Sequence, residues 1–324
     1  MSVRSLRKAA LAAAVFSLAG CQGGVLDPKG QVGVDEKTLI IVSTLLMLLV
    51  VIPVIVMTLF FAWKYREGRD HEIYSPKWAH SGRIETVVWL VPVAIIVILG
   101  GITWYSTHAL DPYKPLDHER EPLTVQVVSL NWKWLFIYPE QGVASVNELV
   151  FPVDVPVQFR ITSESTMNSF FIPQLGSQIY SMAGMETRLH LIANEAGTYH
   201  GISANYSGEG FSDMNFDAIA TSDTEFEQWV TSVRQDNPTL TPERYATLAT
   251  PSEDHPVEHF GSVSDGLFHQ IIHRYMQNYN DWNEGPRHHD SAEHSSTDHP
   301  PAEQASVLPG SATPEEAQDH VATR

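Results

Sequence analysis

A chain of 324 residues can hold one or two domains, and its formal net charge of −18 argues against a nucleic-acid partner, because phosphates require a basic surface. The only cysteine, Cys21, excludes an intrachain disulfide and a thiolate-rich metal site built from this chain alone. The hydrophobic residues, 43% of the chain, are concentrated in blocks near the N-terminus, a pattern typical of membrane proteins.

Residues 1–20 are predicted to be a lipoprotein signal peptide. A basic start is followed by an apolar run over residues 9–18 that is too short to span a bilayer. The sequence Leu-Ala-Gly-Cys then ends at Cys21 and resembles a bacterial lipobox. Such a signal implies cleavage before Cys21 and covalent lipid on that cysteine, which would anchor the chain to the membrane. An ordinary signal peptide with a chance cysteine is the alternative.

Two apolar stretches without charged residues, 38–63 and 86–110, each exceed the roughly 20 residues that a transmembrane helix needs. They predict a hairpin of two membrane-spanning helices. The connection over residues 64–85 is rich in lysine and arginine, whereas residues 21–37 contain two lysines. The positive-inside rule therefore places the connection in the cytoplasm and residues 21–37 outside. Two helices and a lipid are more than a tether needs, which indicates packing against other membrane subunits.

Glu85 lies at the cytoplasmic start of the second predicted helix. Its position alone leaves two interpretations open, an interfacial residue or part of an ion path. The neighbouring Arg83 and the location at the headgroup level favour the interfacial role.

From residue 122 onward, short alternating or aromatic-rich segments are separated by glycine and proline. This pattern predicts an all-β sandwich or barrel over residues 111–222. The aromatic sequence Trp-Lys-Trp at residues 132–134 is interpreted as core and edge packing. The predicted strands are 123–130, 131–139, 147–152, 155–163, 168–173, 187–193, 198–204 and 214–222.

Residues 223–282 are predicted to form C-terminal helices that pack on the sandwich or on a neighbouring subunit. The helical segments are 224–234, 241–248 and 265–276, with Ser222, Thr241 and Ser264 as candidate N-caps. Residues 283–324 have the composition of a disordered, acidic tail. The lack of a rigid scaffold favours a solvated segment. The alternative is weak chelation of metal by the histidines of this tail, His288, His289, His294 and His299.

The stretch from Tyr199 to Phe216 is a candidate binding loop. It is predicted to contain the end of a strand, a tight turn around Gly208 and Gly210, and the start of the last strand. Loops at the rim of a rigid sheet often carry binding residues.

The chain resembles subunit II of the haem-copper respiratory oxidases in four features. These are the predicted two-helix hairpin, the Trp-Lys-Trp strand, the sequence NSFFIPQLG at residues 168–176 and the loop that ends at Phe216. The resemblance runs from the lipobox to about residue 280 and implies a cupredoxin-like β-sandwich. In the cytochrome c oxidase branch, this domain carries a dicopper centre. Its ligands come from an H-S-x-x-x-P segment and a C-x-E-x-C-x-x-x-H-x-x-M loop, where two thiolates bridge the coppers and imidazole and thioether complete a soft site.

This chain has no copper ligand at any position of that motif. Met214 lies one residue out of register, and His200 precedes the loop without a partner at ligand spacing. A dicopper centre is therefore not expected here. The residues that match the ligand positions are Asn168, Ile202, Ala204, Tyr206, Gly210 and Asp213.

This loss is characteristic of the cytochrome bo-type ubiquinol oxidase branch. The resemblance implies a non-redox subunit of a bacterial inner-membrane complex, with its large domain in the periplasm. The haems and copper would lie in subunit I, which would oxidise ubiquinol and reduce oxygen. This chain would have no catalytic residue, metal or cofactor beyond lipid on Cys21, and its partners would be subunit I, the other oxidase subunits and membrane lipid. In the family, a glutamate matching Glu85 lies by the entrance of a proton channel of subunit I. The resemblance therefore favours a role for Glu85 in an ion path over an interfacial role.

Two other functions are compatible with parts of the sequence. One is a copper-containing subunit that accepts electrons from cytochrome c. The other is a membrane lipoprotein that binds metal through its histidine-rich tail and has no oxidase partner.

Overall fold

The computed structural model describes residues 24–66 and 80–274. The predicted signal peptide, the lipidation site Cys21 and the histidine-rich tail lie outside the described residues, as do residues 67–79 of the predicted cytoplasmic connection.

Two long helices, α1 (Gln31–Lys64) and α2 (Gly82–Ala109), are long and apolar enough to cross a membrane. At a rise of 1.5 Å per residue, α1 is about 51 Å long, more than the roughly 30 Å hydrocarbon core requires. The additional length lies mainly at its start, because α1 begins at Gln31 and not at residue 38, where the predicted span begins.

The first turns of α1 belong to the β domain. The backbone N–H of Gly33 donates to the carbonyl of Leu175 at 3.0 Å. The carboxylate of Glu36 accepts hydrogen bonds from the backbone N–H and the hydroxyl of Ser177, at 2.9 and 2.7 Å. A Cβ atom on Gly30 would lie 2.2 Å from a backbone carbonyl oxygen, so only glycine permits this close approach. Residues 31–37 therefore join the long apolar part of α1 to the folded domain.

The β domain contains two packed sheets. Its strands are β1 (Leu123–Leu130), β2 (Lys133–Tyr138), β3 (Val143–Val146), β4 (Glu148–Pro152), β5 (Val157–Ser163), β6 (Asn168–Ile172), β7 (Gly176–Ser181), β8 (Thr187–Leu191), β9 (Gly197–Ser203), β10 (Asn215–Thr221), β11 (Thr239–Leu240), β12 (Glu258–Phe260) and β13 (Ser262–Val263). The first sheet has the strand order β12-β3-β2-β1-β5-β8 and the second has the order β4-β10-β9-β6-β7. The pairs β1–β5 and β4–β10 are parallel, and the other pairs in these two sheets are antiparallel. Strands β11 and β13 form a small parallel pair.

Aromatic rings fill the space between the two sheets. Trp134 and Phe136 point to the same face of β2 because side chains alternate along a strand, and both are completely buried. Phe170 of β6 meets Trp134 edge-on, with ring centroids 5.4 Å apart, and stacks on Phe216 of β10 at 5.2 Å. The prediction of core packing is confirmed for Trp134. Trp132 instead precedes β2 in a turn, where its φ of +69° excludes it from the strand.

Several short strands were not predicted from the sequence. Strands β3 and β7 were missed, and β11, β12 and β13 lie in the segment that was predicted to be helical. Strand β12 extends the first sheet by pairing antiparallel with β3, so the prediction that the strand beginning near Met214 is the last one is wrong. Strands of two or three residues are too short to show a period of two, and β12 forms because the edge of β3 is available for pairing.

Two further helices, α3 (Asp223–Asp236) and α4 (Pro242–Leu248), pack on the sandwich as expected. Ser222 and Thr241 cap them as predicted. A third helix covers residues 267–274, where the described residues end. Ser264 lies three residues before the first residue of this helix, and its backbone carbonyl accepts a hydrogen bond from the N–H of Leu267 at 3.2 Å, which forms a turn. The prediction that Ser264 is the N-cap is therefore wrong. Phe268 and Ile271 of this helix join the core on the outer face of the first sheet.

We expect Glu225→Gln to weaken the dependence of stability on acidic pH. Hydrogen bonds from Thr221 and Ser222 lower the pKa of Glu225 from 4.5 to about 2. A carboxylate with a lowered pKa contributes stability above its unfolded-state pKa and loses it as the pH falls through the folded-state value. Thermal unfolding between about pH 5 and pH 2 should therefore show a shallower decline for this variant. Glu227→Gln, outside the capping box of the same helix, is the control; equal slopes for Glu225→Gln and the native chain would contradict the prediction.

Candidate functional site

The candidate loop connects two neighbouring strands of the second sheet. Strands β9 and β10 pair through Ile202 with Asn215 and through Gly201 with Phe216. Between them, a 3-10 turn covers Glu209–Asp213. Gly208 has a φ of +123°, a conformation that requires glycine, which confirms the predicted turn. The loop therefore crosses one end of the sandwich, as expected from the sequence.

The fold places Asn168, the match to the first copper ligand, beside this loop. Asn168 begins β6 and is buried. Its Oδ1 accepts a hydrogen bond from the hydroxyl of Ser203 at 3.2 Å, and its amide nitrogen donates to the carbonyl of Thr166 at 3.0 Å. The backbone N–H of Ala204 donates to the carbonyl of Ser169 at 2.9 Å. The two segments that would supply copper ligands are thus brought together and joined by amide, hydroxyl and backbone groups.

The indole of Trp132 occupies the space beside Gly210, the match to the second histidine ligand. A Cβ atom at position 210 would lie 2.7 Å from two indole ring carbons and 2.9 Å from Cγ of Glu253. The indole N–H donates to the carbonyl of Ser207 at 3.2 Å, which holds the ring against the loop. As folded, position 210 has no room for a side chain. This role of Trp132 and Glu253 was not predicted from the sequence. The spacing of Gly208 and Gly210 was the available signal, because glycines allow close approach of large groups.

The other four residues that match copper-ligand positions differ in their exposure to solvent. Ile202 is half-buried in β9, whereas Ala204, Tyr206 and Asp213 are exposed. The ring of Tyr206 meets that of Phe211 edge-on, with centroids 5.5 Å apart.

His200 and Met214 do not form a common site. His200 is exposed on β9 opposite Asp217, whereas Met214 is buried in the main core. Among residues 24–66 and 80–274, no group of three or more histidine, cysteine, aspartate or glutamate side chains could hold a metal ion.

Glu85 lies in the first turn of α2, and its carboxylate accepts a hydrogen bond from the backbone N–H of Ser81 at 3.1 Å. A negative charge at a helix N-terminus also interacts favourably with the helix dipole. Glu85 thus provides a hydrogen-bond acceptor for a backbone N–H at the exposed start of α2. Its role in an ion path stays a prediction.

Comparison with known proteins identifies the family. One family model, the periplasmic domain of cytochrome c oxidase subunit II, matches residues 101–221, and another, the COX aromatic-rich motif, matches residues 234–278. Over 277 residues the chain is 61% identical to cytochrome bo(3) ubiquinol oxidase subunit 2 of Pseudomonas aeruginosa, covering 86% of this chain and 84% of that protein. This chain belongs to the ubiquinol oxidase subunit 2 family. It is also 56% identical over 260 residues to ubiquinol oxidase subunit 2 of Acetobacter aceti, covering 80% of this chain and 84% of that protein.

Membership of the ubiquinol oxidase subunit 2 family confirms the resemblance inferred from the sequence and the fold class of two apolar helices with a cupredoxin-like sandwich. A solved structure, the periplasmic domain of cytochrome oxidase subunit II from Bradyrhizobium japonicum, is 23% identical, with a TM-score of 0.34; the match covers 36% of this chain and 96% of that chain. The region matched by the aromatic-rich motif includes the segment that places Glu253 beside Gly210.

Proposed function

We propose that this chain is the non-redox subunit 2 of a proton-pumping ubiquinol oxidase in the inner membrane of a bacterium. Its large domain faces the periplasm, and it binds no haem or copper. The observation that carries this proposal is the loop over residues 204–214. It keeps the position of a copper-binding loop beside Asn168, yet no position that matches a copper ligand carries the histidine, cysteine, glutamate or methionine of the motif.

The missing ligands are consistent with a lipid-soluble electron donor. Ubiquinol reaches the membrane subunit that carries the haems without leaving the bilayer, so it needs no periplasmic relay. The contribution of this chain is mechanical: its β domain covers the outer face of subunit I, and its helices brace that subunit within the membrane. The bonds from Gly33 to Leu175 and from Ser177 to Glu36 suit this role, because they fix α1 to the β domain.

No observation favours the two alternative functions. A dicopper centre needs two bridging thiolates, whereas the chain has one cysteine, at position 21, far in sequence from the loop. The histidine-rich tail lies outside the described residues, so nothing supports it as the main functional site.

Purification of the full-length chain from native membranes in mild detergent tests the proposal. We expect a haem-bearing membrane subunit to co-purify, ubiquinol oxidase activity to follow the complex, and the near-infrared band of a thiolate-bridged copper centre to be absent. Isolation of the chain without a haem protein would refute the oxidase assignment. A near-infrared copper band arising from this chain would instead support electron entry from cytochrome c.

We also propose that Cys21 becomes the lipidated N-terminus of the mature chain. The sequence before Cys21 supports this proposal. Intact-mass analysis should show loss of residues 1–20 and the added mass of acyl groups. Cys21→Ser should abolish the acyl mass, and Ser17→Ala is the control that leaves the cysteine in place. An unprocessed, unacylated native chain would contradict the proposal.

The proposed role of Glu85 at a proton entrance predicts that Glu85→Gln slows turnover and proton uptake. The loss should reach up to about tenfold, the low end of the effect of charge on local ion supply. Glutamine keeps an oxygen that can accept the bond from Ser81 N–H, so the helix end is preserved while the charge is removed. Oxygen consumption and proton release should be measured in vesicles containing equal amounts of assembled complex. Native rates in the variant would remove Glu85 from the proton path.

A further inference from the structure

Lys133 is a buried lysine with no carboxylate in direct contact; burial lowers the pKa of its ammonium group, and the charge of Glu258 opposes this shift from a longer distance. Lys133 follows Trp132 at the start of β2, and only 1% of its surface is exposed. Its ammonium group donates to the carbonyl of Thr250 at 2.9 Å and to the hydroxyl of Ser252. No carboxylate within the described part of the chain forms an ion pair with it. Two neutral acceptors offset only part of the cost of removing an ammonium group from water.

His255 presents a hydrogen-bond donor next to this lysine. Ser252 Oγ accepts from the ammonium group and lies 3.1 Å from Nδ1 of His255, so its own proton is available for that nitrogen. In a neutral imidazole the ring proton is then on Nε2. Burial, followed by the charge of Lys133, lowers the pKa of His255 and outweighs the opposing effect of Glu258, which favours the neutral ring. Nε2 is buried without a hydrogen-bond partner among the described residues.

Both groups line a pocket of about 540 Å³ between β2, α4 and the segment over residues 250–255. Arg244 of α4 adds a second cation, whereas Glu258 is the single carboxylate of the lining. The carboxylate of Glu258 lies 3.6 Å from Nε2 of His255, which is too long for a hydrogen bond. Lys133 and Arg244 against Glu258 give the lining a net positive charge in a chain whose total is −18.

We propose that this pocket binds a phosphate group, either free phosphate or the phosphate of a lipid headgroup. Lys133 and Arg244 supply positive charge, and the Nε2–H group of His255 supplies a directed hydrogen bond. Lysine acts on phosphate as a point charge, whereas arginine can donate two parallel hydrogen bonds. The bound anion provides Lys133 with a counter-charge in direct contact and Nε2 of His255 with an acceptor closer than the carboxylate of Glu258. Nothing in the proposed oxidase role of the chain requires this site.

The test uses the full-length chain in detergent, with the subunits that accompany it, in phosphate-free buffer. Equilibrium dialysis with radiolabelled inorganic phosphate measures binding, and mass spectrometry counts the phospholipids that remain attached. Arg244 is exposed, so Arg244→Ala should fold and weaken phosphate binding by about tenfold or more, the effect of losing a charge-assisted contact. Lys133→Met should abolish binding, and His255→Ala should weaken it.

Arg234→Ala is the matched control, because Arg234 lies on α3 and its guanidinium donates to the carbonyl of Gln141. This variant should keep native phosphate and lipid binding. If the site holds free phosphate, the native chain and Arg244→Ala will retain equal amounts of phospholipid and differ in phosphate binding. If it holds a lipid headgroup, Arg244→Ala will lose a phospholipid that the native chain retains. Equal phosphate binding and equal lipid content in Arg244→Ala and the native chain would overturn the proposal.

Discussion

Phe170→Ala is expected to lower the free energy of unfolding of the β domain by about 3–5 kcal/mol, the usual cost of deleting a fully buried phenylalanine side chain. Phe170 has no exposed surface and lies at the centre of the aromatic cluster between the two sheets. Its ring centroid is 5.2 Å from that of Phe159, 5.2 Å from that of Phe216 and 5.4 Å from that of Trp134. The neighbouring rings are held by both sheets and cannot close the cavity fully, so the cost should be in the upper part of the range.

Chemical unfolding of the detergent-solubilised chain, followed by tryptophan fluorescence, measures this effect, because Trp134 lies in the same cluster. Tyr206→Ala is the control: its ring is 75% exposed, so its loss should change stability by no more than about 0.5 kcal/mol. A cost below about 1 kcal/mol for Phe170→Ala would show that the cluster does not form the core described above.

Gly201→Ala is expected to lower the free energy of unfolding by about 2–3 kcal/mol, the upper part of the range for overpacking. A Cβ atom on Gly201 would lie 2.1 Å from the ring of Phe216, a distance that no relaxed structure tolerates. Phe216 cannot move aside cheaply. Its ring stacks on Phe170 and lies 5.1 Å from that of Phe136, and it is 2% exposed. The strain must therefore spread into β9 and β10, which lead into the candidate loop.

Gly197→Ala provides a matched control on the same strand. A Cβ atom there would have its nearest contact at 3.8 Å, an ordinary van der Waals distance, and the residue is exposed. The same unfolding measurement should place this variant within about 0.5 kcal/mol of the native chain. Equal stabilities of the two alanine variants would contradict the packing of Phe216 against Gly201.

The loop over residues 204–214 keeps its shape without copper because packing and hydrogen bonds hold both of its ends. Phe216 of β10 lies two residues after the loop over residues 204–214, and Ser203, immediately before this loop, donates a hydrogen bond to Asn168. On the other side, the indole of Trp132 fills the space beside Gly210. Packing and hydrogen bonds therefore determine the conformation of a loop that, in the copper-binding branch resembled by the sequence, would be determined by metal ligands.

The sequence by itself determined the features that depend on local patterns. Uninterrupted apolar stretches predicted both long apolar helices, because crossing hydrocarbon requires apolar side chains along the entire span. The missing copper ligands could also be read directly, since a thiolate or an imidazole is a property of the residue itself. Ser222 and Thr241 were identified as helix caps because a cap acts on the backbone within the next turn.

Only the tertiary structure decided which distant residues come together. The pairing of β12 with β3, the attachment of α1 to the β domain, and the contact of Trp132 with Gly210 each join segments far apart in the chain. The burial of Lys133 was also decided by the tertiary structure. In the sequence Lys133 is a polar residue in an aromatic strand, but in the fold its ammonium group contacts Thr250, 117 residues later in the chain. Contacts between distant segments depend on how the sheets pack, and no local pattern in the sequence specifies that packing.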